Sequence, residues 1–205
     1  MVKRQRKRSK FAANVIGLNV LPWFFLVAIV LIFLRVYVPV GIPDTHDGQI
    51  HLARFGNFKR AFREGQIPPR WGPNLMNGYG YPVFNFNYPL ANIIALPFSF
   101  LPISYELIFK LIVVGSLLMT LYQLNRFLKL LKIDSPMIRA VALSSFVLNP
   151  YMINLIYFRG GIGEMLAISL ISWLLVIFEK IRRGQFELND ESKQLELGML
   201  VALFV

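Results

Sequence analysis

The chain has 205 residues, of which 22 are Lys or Arg and 11 are Asp or Glu, and it has no cysteine. Hydrophobic residues make up 56% and charged residues only 16%, against about a quarter charged in soluble domains. This composition excludes a disordered chain and argues against a water-soluble domain, so it indicates an integral membrane protein. Without cysteine, the sequence offers no disulfide framework, thiolate metal site or cysteine nucleophile.

Basic residues are concentrated at the amino terminus. Six Lys and Arg lie from Lys3 to Lys10, directly before the first apolar run at 15–34. Such a patch can bind nucleic acid, but beside a membrane span it is typical of the cytoplasmic side. We therefore expect residues 1–14 to be cytoplasmic, residues 15–38 to form the first transmembrane helix of a multi-pass plasma (inner) membrane protein, and no nucleic-acid partner.

The rest of the chain predicts an all-α polytopic protein with a long structured outer loop. Residues 39–102 form that extracytoplasmic loop, and its last apolar element, 90–101, is short enough to be interfacial or re-entrant. Further spans are expected at 103–124, 137–156 and 162–181, with Pro150 disturbing the second of them. Residues 185–194 form an inner loop, and the apolar run 195–205 is too short to cross. We expect the region 103–205 to carry these further transmembrane helices and the chain to be the N-terminal part of a longer protein.

A possible reaction centre lies at the start of the outer loop. Asp47, His51 and Arg54 are spaced i, i+4, i+7 and share one face if the segment is helical. Asp44 lies one turn earlier, where it could join them or cap the helix. Carboxylates beside a histidine can act as a general base or hold a divalent cation. The alternative is an amphipathic interfacial helix whose charges face water.

The same segment has an apolar stripe that predicts a helix over 47–62. Its large apolar residues recur at helical spacing: Leu52, Phe55, Phe58 and Phe62. Lys59, Arg60 and Arg63 could attract a phosphate or simply be solvated. Both interpretations stay open at this point.

Residues 71–88 are rich in aromatic and amide side chains. The segment contains four asparagines and six aromatics, which are Trp71, Tyr79, Tyr81, Phe84, Phe86 and Tyr88. Stacking faces and paired donors and acceptors suit a sugar pocket. An aromatic belt at the membrane interface explains the aromatics equally simply.

Two charged pairs occur near predicted span ends. Arg159 and Glu164 flank glycines in an outer turn, where they could bind a lipid phosphate or close a salt bridge. Glu106 and Lys110 are four residues apart and are expected to form a helical ion pair.

Together, these segments resemble a known family of membrane proteins. The segment Asp47-x-x-x-His51, the stretch from Gly65 to Trp71, the sequence GYGYP at 78–82 and Tyr88-Pro89-Leu90 follow one another directly after the first span. With the turn Arg159-Gly160…Glu164, they are similar to the "6-pyruvoyl-tetrahydropterin synthase-related" membrane domains, a label that implies no pterin chemistry. The layout is also similar to the wider GT-C superfamily of polyprenyl-phosphate-dependent glycosyltransferases.

This resemblance implies a GT-C-like fold and sugar transfer from a polyprenyl-phosphate donor at the outer face. Asp47 matches the loop aspartate of the superfamily, with Asp44 and His51 as neighbouring candidates for catalysis and Asp47 as a possible ligand of a divalent cation. Substrate would contact Arg54, Trp71, Tyr79, Tyr81, Tyr88, Arg159 and Glu164, with membrane lipid as a further partner. The usual Asp-Glu pair is Asp47-Gly48 here, and the usual Pro-Pro-Leu is Tyr88-Pro89-Leu90.

Two other functions are compatible with the same residues. One is a non-catalytic protein that binds or transports lipid-linked glycans, in which ligand binding survives loss of Asp47. The other is a membrane anchor or assembly factor whose outer loop contacts a partner and binds no sugar lipid.

Overall fold

The computed structural model describes residues 20–185 together with Gln194 and Gly198. The basic terminus, the first residues of the first span and most of the region after 185 lie outside these residues, so the predicted inner loop and last apolar run lie there too. The described part is helical and contains no strand, although Gly72 and Tyr81 form an isolated antiparallel bridge. The predicted all-α class is confirmed for this part of the chain.

Within residues 20–185, three helices are long and apolar enough to cross a membrane. These are α1 (Val20–Tyr37, which ends in a 3-10 turn at Arg35–Tyr37), α5 (Tyr105–Leu130) and α8 (Ile162–Arg182). At 1.5 Å per residue, even the 18 residues described in α1 extend about 27 Å, close to the thickness of a hydrocarbon core. The sequence-based assignment of these three spans agrees with the structure.

A bent pair of helices supplies a fourth candidate span. Helix α6 (Pro136–Val147) is followed by α7 (Pro150–Ile153), which continues as a π-helical turn, Asn154–Arg159. The axis of the pair bends by 47° between α6 and α7. Pro150 has no N–H to continue the hydrogen-bond ladder, and the Asn149 side chain accepts a hydrogen bond from the Met152 N–H at 2.9 Å. The predicted disturbance at Pro150 is therefore a helix end followed by a newly capped helix.

Helix α5 extends six residues beyond the predicted end of its span. It begins after Ser104, whose Oγ atom accepts a hydrogen bond from the Leu107 N–H at 3.2 Å, and it continues to Leu130. Hydropathy marks only the apolar part of a helix. Residues 125–130 include Asn125, Arg126 and Lys129, which end the apolar run without ending the helix.

The core lies between α5 and α8, and α1 is tied to the bent pair. Small side chains on the facing helices, such as Ser116 and Ser169, are buried and allow close packing. The Tyr37 hydroxyl donates to the Ile156 carbonyl at 3.2 Å, and the Tyr157 hydroxyl donates to the Phe33 carbonyl at 2.6 Å. These two bonds fix the end of α1 beside the π-helical turn.

The predicted outer loop is ordered by two helices that lie side by side. Helix α2 (Gly48–Arg63) buries Phe55 and Phe58, which confirms the predicted helix and its apolar stripe. Helix α4 (Leu90–Phe98) has nine residues, too few to cross a bilayer, and the Lys59 Nζ atom donates to the Ser99 carbonyl just after it at 2.5 Å. The four-residue helix α3 (Val83–Phe86) lies between them in sequence and packs Phe84 against Phe58.

Candidate functional site

The start of the outer loop docks onto the turn before α8. The His46 N–H donates to the Phe158 carbonyl at 2.9 Å, and the Asp47 N–H donates to the Arg159 carbonyl at 2.8 Å. Gly160 makes this approach possible because its φ is +68° and a Cβ atom there would lie 2.4 Å from the Thr45 Oγ1 atom. The segment around Asp47 and the turn before α8, which helical spacing does not connect, therefore lie together.

Asp47 occupies the N-cap position of α2, but its side chain makes no capping hydrogen bond. The carboxylate is 27% exposed and lies 2.7 Å from the Nδ1 atom of His46. Asp47 thus presents a half-buried carboxylate in contact with the His46 ring.

Asp44 does not cap the helix, so that alternative is wrong. The docking bonds turn the chain at residues 46 and 47, and the helix starts at Gly48 instead of directly after Asp44. Asp44 is exposed in the segment before this turn.

His51 is buried rather than paired with Asp47. It is 2% exposed, its ring lies 6.4 Å from that of Tyr88 and 6.1 Å from that of Phe109, and its Nε2 atom has no hydrogen-bond partner. The pKa of His51 is lowered to about 4, mainly by burial and secondly by the nearby Arg54, while Asp47 acts in the opposite direction. The imidazole is therefore neutral near pH 7, and the hydrogen bond to the Asp47 carboxylate comes from His46.

The stability of the protein should depend on pH through His51. Its folded pKa of about 4 lies below the ordinary value of 6.5, so the unfolded chain binds the proton first as pH falls. The contribution of neutral His51 to the free energy of unfolding is complete above about pH 6.5, and it decreases by roughly 1.4 kcal/mol per pH unit towards pH 4. We expect the melting temperature of His51→Gln to fall less between about pH 7.5 and about pH 5 than that of the wild type. Equal losses in a thermal melt in detergent would contradict this.

Tyr88 connects the outer loop to the first turn of α8. A Cβ atom at Gly163 would lie 2.0 Å from the Tyr88 ring, so the ring rests directly on the helix backbone. Burial raises the pKa of Tyr88, while Arg54 and a hydrogen bond with the Gly163 backbone oppose this shift. The tyrosine thus lies within electrostatic range of Asp47, Arg54 and Glu164.

Arg159 and Glu164 form the predicted salt bridge. One Arg159 amino group lies 2.5 Å from Glu164 Oε1 and the other donates to Oε2 at 3.0 Å, which makes the pair bidentate. The Tyr151 hydroxyl donates to the same Oε2 atom at 2.5 Å. Arg54 contrasts with Arg159, because its buried Nε atom has no hydrogen-bond partner. Among the described residues, Arg54 forms no ion pair, whereas Arg159 is already paired with Glu164.

The predicted aromatic segment divides into two parts. Trp71, Tyr79 and Tyr81 belong to a loop that the Gly72–Tyr81 bridge holds together, and Tyr79 is 88% exposed. Tyr88 leaves this loop and joins Asp47. The asparagines that suggested sugar binding serve partly as structural acceptors: the Asn74 side chain accepts from Arg60, and the Asn85 side chain accepts from Arg70 at 3.3 Å.

The predicted ion pair between Glu106 and Lys110 does not form. The Lys110 Nζ atom donates instead to the Pro39 carbonyl, because the chain leaving α1 passes beside α5. Helical spacing predicted Glu106 as the partner of Lys110, but Lys110 instead binds Pro39, which lies 71 positions away in the sequence.

Within the part of the chain that the structure describes, no group of three or more His, Asp or Glu residues could hold a metal ion. Among the described residues, the ion pair that Asp47 forms is with His46. The residues present do not fit the divalent cation that the resemblance allows, so no step below depends on one.

Two site residues had escaped sequence analysis. His46 directly precedes Asp47, and this adjacency was the available signal. Tyr151 is 13 residues from its partner Glu164, and only the return of the bent pair to the start of α8 brings the two together.

An apolar cleft lies below α4, between α5 and α8. Its volume is about 290 Å³, and its lining includes Ile94, Phe98, Leu111 and Leu166, with Ser116 and Ser169 as polar exceptions. Helix α4 thus borders the cleft, and Tyr88 precedes this helix by two residues.

The described part of the chain is all-helical, and within it three helices, or four with the bent pair, could cross a membrane. Beyond this class, comparison with protein-family models, with curated proteins and with solved structures finds no match for the chain.

Proposed function

We propose that this chain is part of a GT-C-like membrane glycosyltransferase that transfers a sugar from a polyprenyl-phosphate donor to an acceptor at the outer membrane face. The observation that carries this proposal is the docking of Asp47 onto Arg159 through their backbones at 2.8 Å. It brings a half-buried carboxylate to the backbone of Arg159, within electrostatic range of Tyr88, which Arg54 also reaches. Helix α4, which follows Tyr88 in the sequence, borders an apolar cleft. A base, a phosphate-binding group and space for a lipid chain are what such a transfer needs.

In this mechanism, Asp47 accepts the proton of the acceptor hydroxyl as that oxygen attacks the anomeric carbon, and the configuration inverts. The bond from the anomeric carbon to the phosphate oxygen breaks, and the polyprenyl phosphate leaves as an anion. Arg54, whose guanidinium forms no ion pair among the described residues, stabilises the leaving phosphate. His46 holds the carboxylate in place. A sugar already activated by phosphate depends mainly on positioning and charge stabilisation.

One observation favours the non-catalytic alternative, a binder or transporter of lipid-linked glycans. Glu164 engages both amino groups of Arg159, so one of the two arginines is neutralised before any substrate arrives. A binder would need only the apolar cleft and one open donor.

The test is sugar transfer from a polyprenyl-phosphate donor by the purified full-length protein, measured beside donor binding. Transfer with inversion supports the proposal. Donor binding with no transfer to any acceptor class supports the binder, and failure to bind donor at all contradicts both and leaves the assembly factor.

The proposal requires Asp47 to face outward. We expect the end of the bundle that carries Lys129 to be cytoplasmic and residue 67 to be outside, since basic residues follow the predicted inner ends of the spans. The chain has no native cysteine, so Lys129→Cys and Ile67→Cys can be probed with a membrane-impermeant thiol reagent in intact cells. Labelling of the cysteine at 67 alone is expected, and labelling at 129 would contradict the topology.

A further inference from the structure

A basic pocket lies on one face of α2. Its volume is about 530 Å³, and its lining follows the helical period: Gly56, Lys59, Arg60, Arg63 and Glu64. Three cations against one carboxylate give the pocket a net positive charge. The Glu64 carboxylate accepts a hydrogen bond from the Arg60 Nε atom at 2.7 Å, and Arg60 also donates to the Asn74 side chain. Arg60 and Glu64 thus neutralise each other, and the positive charge that remains belongs to Lys59 and Arg63.

Lys59 and Arg63 belong to none of the ion pairs that form within residues 20–185. Arg63 is exposed. The Lys59 Nζ atom donates to the Ser99 carbonyl at 2.5 Å and lies 5.2 Å from the centre of the Phe100 ring, within the range of a cation–π interaction. Glu106 lines a neighbouring pocket with Lys59 but forms no ion pair with it. Since a carbonyl and a ring are neutral, both cations keep a charge that an anion can compensate.

The pocket adjoins the start of a candidate span. The apolar part of α5, residues 105–124, extends about 30 Å at 1.5 Å per residue, which matches the thickness of a hydrocarbon core. A Cβ atom at Gly56, in the lining of the pocket, would lie 3.6 Å from the ring of Tyr105, the first residue of α5. With α5 as a span, the pocket therefore lies near the level at which the hydrocarbon core ends and the headgroups begin.

The end of α4 places exposed apolar side chains beside the same pocket. Phe98 lines the apolar cleft together with Leu111, which belongs to the apolar part of α5. The exposed fraction is 42% for Phe98 and 52% for both Phe100 and Leu101. The Phe100 ring also contacts Phe62 of α2, with 6.4 Å between the ring centres. Cations next to exposed apolar side chains are typical of segments that lie in a membrane interface.

We propose that Lys59 and Arg63 form a site for the phosphate of an anionic phospholipid at the membrane surface, with Phe100 and Leu101 inserted beside its acyl chains. The ammonium and the guanidinium donate to phosphate oxygens, and their uncompensated charge favours a lipid with a net negative headgroup over a zwitterionic one. A soluble phosphate would gain the polar contacts without the apolar ones. The site uses no residue of the Asp47 cluster and does not depend on sugar transfer.

The experiment measures binding of phosphatidylglycerol and phosphatidylcholine to the full-length protein in detergent by native mass spectrometry. Wild type should retain phosphatidylglycerol in preference to phosphatidylcholine. Arg63→Gln should weaken phosphatidylglycerol binding about fivefold, as expected for one cation beside an anionic headgroup. Equal retention of the two lipids by wild type, or displacement of phosphatidylglycerol by millimolar inorganic phosphate, would overturn the proposal.

Arg70→Gln is the matched control. Arg70 is an exposed arginine of the same predicted outer loop, but it donates to the Asn85 side chain at 3.3 Å and does not line the pocket. Its loss should change phosphatidylglycerol binding by less than about twofold. Equal losses in Arg63→Gln and Arg70→Gln would show general charge attraction and would exclude a site on α2.

A depth measurement tests the apolar part of the proposal and leaves both cations in place. The chain has no native cysteine, so Leu101→Cys and Ile67→Cys can each carry one fluorescent label in phosphatidylglycerol nanodiscs. Brominated acyl chains should quench the label at position 101 and leave the label at position 67 bright, since Ile67 is 78% exposed in the loop beyond α2. Equal fluorescence from the two labels would show that the end of α4 does not enter the membrane, and the proposal would then be wrong.

Discussion

Replacement of Asp47 by asparagine should abolish sugar transfer while the protein remains folded and inserted. Asparagine keeps the shape and hydrogen-bonding reach of the side chain but removes its negative charge and basicity. A general base lost in this way costs roughly 10²-fold or more in rate. The measurement is transfer from a polyprenyl-phosphate donor by purified full-length protein, with donor binding measured in parallel.

Asp44→Asn is the matched control for this variant. Asp44 is exposed, precedes the docked turn and does not cap α2, so its loss should leave transfer nearly unchanged. His46→Gln should fall between the two, because the hydrogen bond that orients the Asp47 carboxylate is weakened but the base remains. Full transfer by Asp47→Asn would show that the carboxylate is not the base, and equal losses in both aspartate variants would indicate a general effect of charge.

A single methyl group at Gly163 should displace Tyr88 from the site. In Gly163→Ala, the new Cβ atom would lie 2.0 Å from the tyrosine ring, so the ring or the start of α8 must move. Overpacking of this kind costs about 1–3 kcal/mol, and a displacement of about 1 Å near reacting groups can cost about 10²-fold in rate. We expect a lower melting temperature together with reduced transfer.

The cause can be isolated with two further variants. Gly115→Ala is the control, because no atom lies within 4 Å of a Cβ atom at that position on α5, and it should leave stability unchanged or slightly higher. Tyr88→Ala removes the clashing ring, so Gly163→Ala should cost little when added to it. The close contact would be disproved if Gly163→Ala destabilised the Tyr88→Ala protein as much as the wild type.

The elements of the fold follow largely from local sequence pattern. Apolar runs predicted the three long helices, Pro150 predicted the break in the bent pair, and the spacing of Phe55 and Phe58 predicted α2. These features depend on interactions within one element, where the period of apolar residues and the missing N–H of proline act directly. The ends of helices were predicted less accurately, because hydropathy does not detect the polar last turns of α5.

The site depended on contacts between distant segments. Sequence spacing predicted that His51 pairs with Asp47. In the structure, His51 is buried beside Phe109, and the Asp47 carboxylate forms its hydrogen bond with His46. A helical period shows which residues share a face, but it cannot show which face the bundle covers.

The sequence by itself determined a helical protein with several candidate spans, an amphipathic helix after the first of them, and the presence of charged residues near their ends. Only the tertiary structure decided that Asp47 meets Arg159, that Tyr88 rests on Gly163, and that Lys110 binds the chain after α1 instead of Glu106. The physical reason is distance along the chain. Each of these contacts joins residues more than 70 positions apart, and their meeting is set by how the helices pack against one another rather than by any local preference.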